Sequence, residues 1–297
     1  MPAKLLVFGG QGQVAKALAE TGSFDVELSG RDRLDLAAAD ADIAGLIASV
    51  RPAVVINAAA YTAVDKAETD LEAARRLNRD APAAMARTCA ERDVPFVHIS
   101  TDYVFDGETG APYDETSRRN PINAYGLTKA EGEAALEDLA RQGARLAVVR
   151  SAWVFTADHD GFFKTMLRLA RERDEVSVVE DQQSNPTPAS ACAEATLALA
   201  QALLDRDRAA EGLFHAAGAQ AMTRADFAEA IFARLAARGA RRPNLKRVSS
   251  DAFPLPARRP LDTRLVSAKL ERATAWRAPD VFTALDACLK RAENLST

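Results

Sequence analysis

The sequence predicts an α/β protein: a Rossmann-type, doubly wound parallel sheet joined to a smaller α+β domain. Three observations carry this expectation. In the first half of the 297 residues, short β-type runs alternate with alanine-rich helical stretches, the rhythm of strands and their crossover helices. Those runs are apolar almost throughout, as strands covered on both faces are. The first of them, Leu5-Leu6-Val7-Phe8, leads directly into a glycine turn, Gly9-Gly10-Gln11-Gly12-Gln13-Val14-Ala15.

Taken in order, the expected strands are Lys4 to Phe8, Asp25 to Ser29, Ala53 to Asn57, Phe96 to Ser100 and Leu146 to Arg150. Helices fill the gaps, beginning near Gln13, Asp40, Asp80 and Tyr125. Right-handed crossovers put the carboxyl end of every strand on one edge, where ligands of such sheets bind. Gly9, Asn57, Ser100 and Arg150 all fall at that edge. Past Arg150 the rhythm loosens. Helices are expected at Phe162 to Arg173, Ala189 to Leu204, Arg224 to Ala237 and Val281 to Ala292, with short strands at Val176 to Val179 and Leu213 to Ala216. Asn185-Pro186-Thr187-Pro188 and Phe253-Pro254-Leu255-Pro256 are extended or turned, because proline restricts itself and its predecessor. Residues 1–152 are expected to form the dinucleotide-binding domain and residues 153–297 mainly the substrate-binding domain, with some later segments returning to the sheet.

The glycine turn leaves a buried strand and opens a helix, so backbone N–H groups and the positive end of the helix dipole can meet a pyrophosphate. The third small position is Ala15, which serves the close packing of helix on strand. Later in the chain stands Tyr125-Gly126-Leu127-Thr128-Lys129. A tyrosine and a lysine four residues apart lie on one helix face, where the ammonium favours the phenolate and makes the phenol a usable acid. One half points to dinucleotide binding, the other to proton transfer. Each is common alone; together, in this order, they point to an oxidoreductase.

Composition narrows the alternatives. Hydrophobic residues at 48% fit an ordinary globular protein, and a formal net charge of −4 gives no footprint for nucleic acid. No apolar run approaches the roughly 20 residues of a membrane helix, and the chain enters its first strand without a signal-peptide pattern, so a cytoplasmic protein with no membrane partner is expected. Cys89, Cys192 and Cys288 have no paired spacing and suit small core positions. His98, His159 and His215 are dispersed, so no catalytic metal is expected.

The stretch from Val54 to Glu68 (VVINAAAYTAVDKAE), the stretch from His98 to Gly107 (HISTDYVFDG) and Asn123-Ala124-Tyr125-Gly126-Leu127-Thr128-Lys129 closely resemble the dTDP-4-dehydrorhamnose reductases, a branch of the extended short-chain dehydrogenase/reductases. Arg150 to Phe155, Phe163 to Leu167 and Arg258-Arg259-Pro260 extend the resemblance over essentially the whole chain. It implies reduction of the 4-keto group of dTDP-6-deoxy-L-lyxo-4-hexulose with NAD(P)H, giving dTDP-L-rhamnose for surface polysaccharides. Carried over residue by residue, Tyr125 becomes the proton donor, Lys129 its cationic neighbour and a ligand of the nicotinamide ribose, and Thr101 a second donor to the same carbonyl oxygen. Asp102, Tyr103 and Trp153 are expected to line the sugar site. Ser184 to Pro188 and Arg258 to Thr263 are expected near the nucleotide, with Arg259 facing its diphosphate.

For the cofactor, Gly9, Gly12, Gln13 and Val14 form the turn, and Ala59, Ala60 and Tyr61 line the groove after the third strand. Asp35 and Leu36 match the pair that flanks the adenine. The second strand ends Ser29-Gly30-Arg31 rather than in a carboxylate for the ribose 2′-hydroxyl, so Arg31 favours NADP(H), with NAD(H) the alternative. Some members of the family form a magnesium-bridged dimer through a glutamate in the first helix. Here that helix reads Val14-Ala15-Lys16-Ala17-Leu18, so a metal-linked dimer is not expected and any homodimer needs another interface. Two other readings use the same resemblance: an epimerase or dehydratase of another nucleotide sugar, and a regulatory subunit like the β-subunit of methionine adenosyltransferase. The intact Thr101, Tyr125 and Lys129 argue for chemistry, and the single Asp102 beside Thr101 argues for simple reduction.

Overall fold

The computed structural model describes residues 2–38 and 40–295. The first half supplies strands β1 (Lys4–Phe8), β2 (Asp25–Ser29), β3 (Val54–Asn57), β4 (Phe96–Thr101) and β5 (Leu146–Ser151). β3 starts one residue later than the sequence suggests, and β4 and β5 each run one residue further. Beyond them lie β6 (Val154–Phe155), β7 (Glu175–Val179), β8 (Gln183–Ser184), β9 (Thr187–Pro188), β10 (Gly212–His215), β11 (Met222–Thr223) and β12 (Asn244–Val248). The central sheet is six-stranded in the order β10-β5-β4-β3-β1-β2, and all its pairings are parallel. β10 is the segment that returns from the second half to the sheet.

Alternation along β1 shows why the sheet is wound on both sides. Leu5 and Val7 enter one apolar cluster with Val14, Ala15 and Leu18 of α1 (Gln13–Glu20), while Leu6 and Phe8 enter another with Ile43 and Ile47 of α2 (Ile43–Val50). Successive strand residues face opposite sides, so a continuously apolar strand needs cover on both. Ala15 is fully buried, which fits its role as a packing residue of the glycine turn. The winding reverses between β1 and β3, and a ligand crevice opens at such a switch point.

α2 begins at Ile43, later than the start suggested near Asp40, because Asp42 caps it through a hydrogen bond from the Gly45 N–H. Before α5 (Ala81–Glu91) the chain makes two helical pieces that the sequence pattern did not suggest, α3 (Val64–Ala67) and α4 (Leu71–Arg75), and then a π-turn at Arg76–Asp80. That turn drives Asn78 fully inside. Its side chain accepts from the Tyr61 N–H at 2.8 Å and donates to the Thr128 hydroxyl at 3.0 Å, fastening α6 (Ala124–Arg141) to the loop after β3.

The second half has its own apolar cluster. Phe155, Phe163, Met166, Phe227, Ile231 and Leu285 pack where α7 (Phe162–Glu172), α9 (Arg224–Ala237) and α11 (Val281–Asn294) meet β7. α8 (Ala189–Leu204) instead covers the sheet against α1, and the short α10 (Ala268–Ala273) lies beside β10. β12 escaped the sequence reading because its residues, Asn-Leu-Lys-Arg-Val, are polar and partly exposed; pairing with β7 makes it a strand.

Candidate active site

A cleft of about 630 Å³ opens at the carboxyl ends of β1, β3, β4 and β5. Its first wall is the glycine turn. Gly9 adopts φ +89, and a Cβ there would lie 2.6 Å from the Ala59 nitrogen, so only glycine fits. The N–H groups of Gly9 and Gly10 donate to the Ser29 carbonyl at 3.0 and 3.1 Å, which fixes the turn against the end of β2. Gly12 is the N-cap of α1 and provides no side chain to satisfy the first N–H groups of that helix. Unsatisfied donors at a helix start, facing a cleft, suit a pyrophosphate.

The opposite wall is α6, brought close by two glycines. A Cβ at Gly126 would lie 2.1 Å from the Tyr103 carbonyl oxygen, and one at Gly132 would lie 2.1 Å from that of Asn78. Asn123 caps the helix by accepting from the Gly126 N–H at 2.8 Å. This close approach sets Tyr125 and Lys129 over the end of β4. Tyr125 is half-buried, lines the cleft with Thr101, and meets Tyr103 edge to face at 5.8 Å. Burial pushes the phenol above its ordinary pKa, Thr101 opposes that by a hydrogen bond, and Asp102 and Tyr103 add to it. The pull of Lys129 on the phenol, expected from the spacing, is therefore not the dominant effect.

The reason lies in where the lysine rests. Its Nζ donates to the Ile99 carbonyl at 2.6 Å and lies 3.2 Å from Nε2 of His98. Nδ1 of His98 is 3.1 Å from the Asn57 amide nitrogen, and the Asn57 oxygen accepts from the Ala59 N–H at 3.0 Å. A backbone N–H can only donate, so the Asn57 oxygen is the acceptor and its nitrogen donates to His98 Nδ1. His98 then carries its proton on Nε2, toward Lys129, and the seat fits an amine better than an ammonium. Burial acts in the same direction and lowers Lys129 to about 8, with Glu133 opposing it. His98, fully inside, is held well below its ordinary value by burial and by Lys129.

One turn beyond Lys129, Glu133 is fully buried. Arg150 meets it through a fork at 2.9 and 2.6 Å, Ser100 donates at 2.6 Å and Arg119 at 3.2 Å. Burial pushes the Glu133 carboxyl up, but these donors outweigh it and hold it below the ordinary value. Arg150 also lies 5.0 Å over the Phe105 ring. Tyr125, Lys129 and Glu133 thus share one helix face, and the third was missed because nothing in the spacing distinguishes it from an ordinary solvated glutamate.

On the far side of Tyr103 the cleft is closed by residues of the second half. Trp153 has a left-handed backbone, φ 43, and the Arg224 guanidinium stacks on its ring at 3.6 Å. Asp102 is buried, but its carboxylate is taken by the hydroxyls of Thr101, Ser184 and Thr263. Burial raises its pKa and these hydroxyls oppose the rise. Ser184 and Thr263 therefore tie the second half to the end of β4 through Asp102. Thr101 also caps the short turn Asp102–Val104 by accepting from the Tyr103 N–H at 3.2 Å.

The cleft gathers Gly9, Gly12, Gln13, Val14, Arg31, Asp35, Leu36, Ala59, Ala60, Thr101, Asp102, Tyr103, Tyr125, Lys129 and Trp153. Two expected site residues do not line it. Tyr61 turns away, because its hydroxyl donates to Asp70 at 3.1 Å and its ring packs under the sheet. Arg259 stands behind the wall, drawn to Asp65 at 2.7 Å and to the Ala257 carbonyl at 3.0 Å. Asp35 uses one oxygen to accept from the Ala37 N–H. Arg31 is exposed at the cleft, and among the described residues no ion pair joins it to Asp32. Arg224 was missed, since an arginine opening an amphipathic helix carries no sign of a ligand.

Residues 3–294 match the family model of the RmlD substrate binding domain. The chain is 39% identical over 280 residues to the dTDP-4-dehydrorhamnose reductase of Sinorhizobium fredii (strain NBRC 101917 / NGR234), covering 93% of each. Among solved structures, the dTDP-4-dehydrorhamnose reductase ortholog of Clostridium acetobutylicum superposes with a TM-score of 0.88 at 31% identity, covering 98% of this chain and 99% of that one. The dTDP-4-dehydrorhamnose reductase of Bacillus anthracis, solved in complex with NADP, gives a TM-score of 0.89 at 28% identity, covering 98% and 100%. A glycine cradle, a tyrosine and lysine on one helix face, and a match along almost the whole length agree: the chain belongs to the RmlD substrate-binding-domain family.

Proposed function

We propose that this chain is a dTDP-4-dehydrorhamnose reductase: with NADPH it reduces the 4-keto group of dTDP-6-deoxy-L-lyxo-4-hexulose to give dTDP-L-rhamnose. The observation that carries the reading is the meeting of Thr101, Tyr125 and Lys129 with the Gly9–Gly12 turn in one cleft. The cradle fits a dinucleotide, since Gly9 lets the turn close on the Ala58–Ala59 backbone and the Gly12 N-cap leaves the helix-start N–H groups without a side-chain partner. NADPH, when bound, supplies the hydride. Gly9, Gly12, Gln13 and Val14 hold the pyrophosphate, Ala59 and Ala60 allow close approach, Asp35 and Leu36 flank the adenine, and Arg31 meets the 2′-phosphate. NADH, which lacks that phosphate, is the weaker cofactor on this reading.

Tyr125 gives its phenolic proton to the carbonyl oxygen as that oxygen gains charge, and Thr101, its hydroxyl turned from Asp102, donates a hydrogen bond to the same atom. A phenol raised by burial keeps its proton until the substrate needs it. Lys129 leaves its seat on His98 to bind the cofactor ribose, and there its ammonium charge steadies the phenolate. Trp153 and Tyr103 supply flat faces to the sugar. Residues 1–152 hold the cofactor and residues 153–297 mainly the substrate, with β10 completing the sheet. Among the described residues no three His, Cys, Asp or Glu groups cluster to hold a metal, and no helix is long and apolar enough to cross a membrane. Because α1 carries Lys16 among apolar residues and no glutamate in its first turn, any homodimer on this reading forms at an interface other than the start of α1.

The reading is tested by mixing purified protein, NADPH and the keto sugar. Loss of NADPH in step with appearance of dTDP-L-rhamnose supports it. Conversion of the sugar with no net loss of NADPH would make the protein an epimerase instead.

A further inference from the structure

We infer that Arg224 is the residue that binds the diphosphate of the nucleotide sugar and selects a nucleoside diphosphate as the substrate's handle. The inference rests on the reductase reading above only for the identity of the sugar. Arg224 lines the cleft at the start of α9, where a capping box between Thr223 and Asp226 fixes the helix end. Its guanidinium lies 3.6 Å over Trp153 and 5.1 Å from the Phe162 ring centre, so two aromatic faces hold it. Stacking occupies the planar faces of a guanidinium and leaves its N–H edge, one part of which bonds the Tyr103 side chain, as the edge that forms paired hydrogen bonds with phosphate.

The charge of Arg224 has no local answer. Among the described residues it makes no carboxylate ion pair within 4.0 Å, whereas Arg259 is matched by Asp65 at 2.7 Å. The carboxylate that acts on it, Asp102, is spent on three hydroxyls. Burial lowers the pKa of Arg224, Tyr103 and Asp102 oppose this, and Arg259 adds repulsion. A half-buried cation without a counter-charge beside it gains one when a ligand brings an anion.

Position decides which anion that is. The cofactor pyrophosphate belongs at the glycine turn, across the cleft. Arg224 instead adjoins Tyr103, which touches Tyr125, and Trp153, which faces the sugar side. An anion held there is attached to the molecule whose carbonyl meets Tyr125. This also corrects the expectation for Arg259: it supports the field from behind, while Arg224 makes the contact.

Calorimetric titration of dTDP and of thymidine into the full chain loaded with NADPH tests the inference. Arg224→Gln should weaken dTDP at least tenfold, leave thymidine within twofold and leave NADPH affinity unchanged. Arg224→Lys, which keeps the charge and loses the fork, should fall between. Unchanged dTDP affinity in Arg224→Gln, or an equal loss for dTDP and thymidine, overturns the assignment. Should the glutamine variant fail to fold, Arg224→Lys decides alone: a several-fold loss confined to dTDP supports the inference, and wild-type affinity overturns it. The two readings separate cleanly, because dTDP binding needs no turnover: a wild-type protein that binds dTDP through Arg224 yet never oxidises NADPH sinks the reductase reading and leaves this one standing.

Discussion

On one wall of the cleft, β1 and α1 present backbone: Gly9 at φ +89, the Gly12 N-cap and the N–H groups of the first helical turn. On the opposite wall, α6 and β4 present side chains, and each polar one needs a buried partner: Lys129 has Ile99 and His98, Glu133 has Arg150, Ser100 and Arg119, and Thr101 has Asp102. The first wall works by having nothing in the way. It is damaged by adding atoms, whereas the second is damaged by removing or mismatching them. The difference follows from the ligands: a pyrophosphate asks for close approach of many donors, while a carbonyl asks for one proton at one place.

The largest expected effect is on the side-chain wall. Tyr125→Phe should lower kcat by about a thousandfold while NADPH affinity stays within a factor of a few, since only the transferred proton is lost. Steady-state assay beside a fluorescence titration of NADPH checks this; a joint loss of both would mean that Tyr125 mainly builds the cofactor seat. Glu133→Gln tests dependence on buried partners, because it leaves Arg150 inside without its counter-charge, at a cost of about 3 kcal/mol or more. Urea unfolding reads it, and stability within measurement error of the native protein would show that the fork is dispensable.

Gly9→Ala tests the backbone wall. The added methyl group would meet Ala59 at 2.6 Å in a backbone region that L residues avoid, which costs about 2 kcal/mol and should weaken NADPH strongly. Retained NADPH affinity would contradict the cradle. A pH profile probes the seat of Lys129 without mutation. The groups facing it are the Ile99 carbonyl, His98 and Glu133, and its value near 8 means that the ammonium predominates below that pH and the amine above it. The kcat/KM for NADPH, which reports the free enzyme, should therefore fall as pH rises through about 8, and a plateau reaching the ordinary lysine range would contradict the lowered value. Arg31→Ala gives the smallest effect: NADPH should weaken about tenfold with NADH unchanged, the loss of one charge-assisted contact to phosphate. Equal weakening of both would remove the case for a 2′-phosphate partner.

The two walls also differed in how far the sequence revealed them. The glycine turn was readable because its chemistry is local: an apolar strand, a turn needing positive φ at Gly9, and a helix start follow one another in the chain. Tyr125 and Lys129 were readable for the same reason, being four residues apart. The buried environment that tunes them was not. Asn57 reaches His98 across 41 residues by strand register and His98 reaches Lys129 across 31 by the packing of α6 on β4, neither of them by local spacing. Arg224, Asn78 and Glu133 were hidden for a related reason, since each looks polar and solvated until the π-turn, the two glycines of α6 or the stack on Trp153 brings it inward. Tyr61 and Arg259 show the converse: the motif placed them near the ligand, and Asp70 and Asp65 draw them off the cleft wall.

The central claim is direct hydride delivery to a ketone whose oxygen is protonated by Tyr125. It is tested most directly with NADPH deuterated at the transferred position, the keto sugar as acceptor and mass and NMR analysis of the product. The account predicts deuterium on carbon 4 of the sugar in step with NADPH consumed, and a near-complete loss of labelled product in Tyr125→Phe. Deuterium retained on the cofactor, or a product unlabelled at carbon 4, would contradict it.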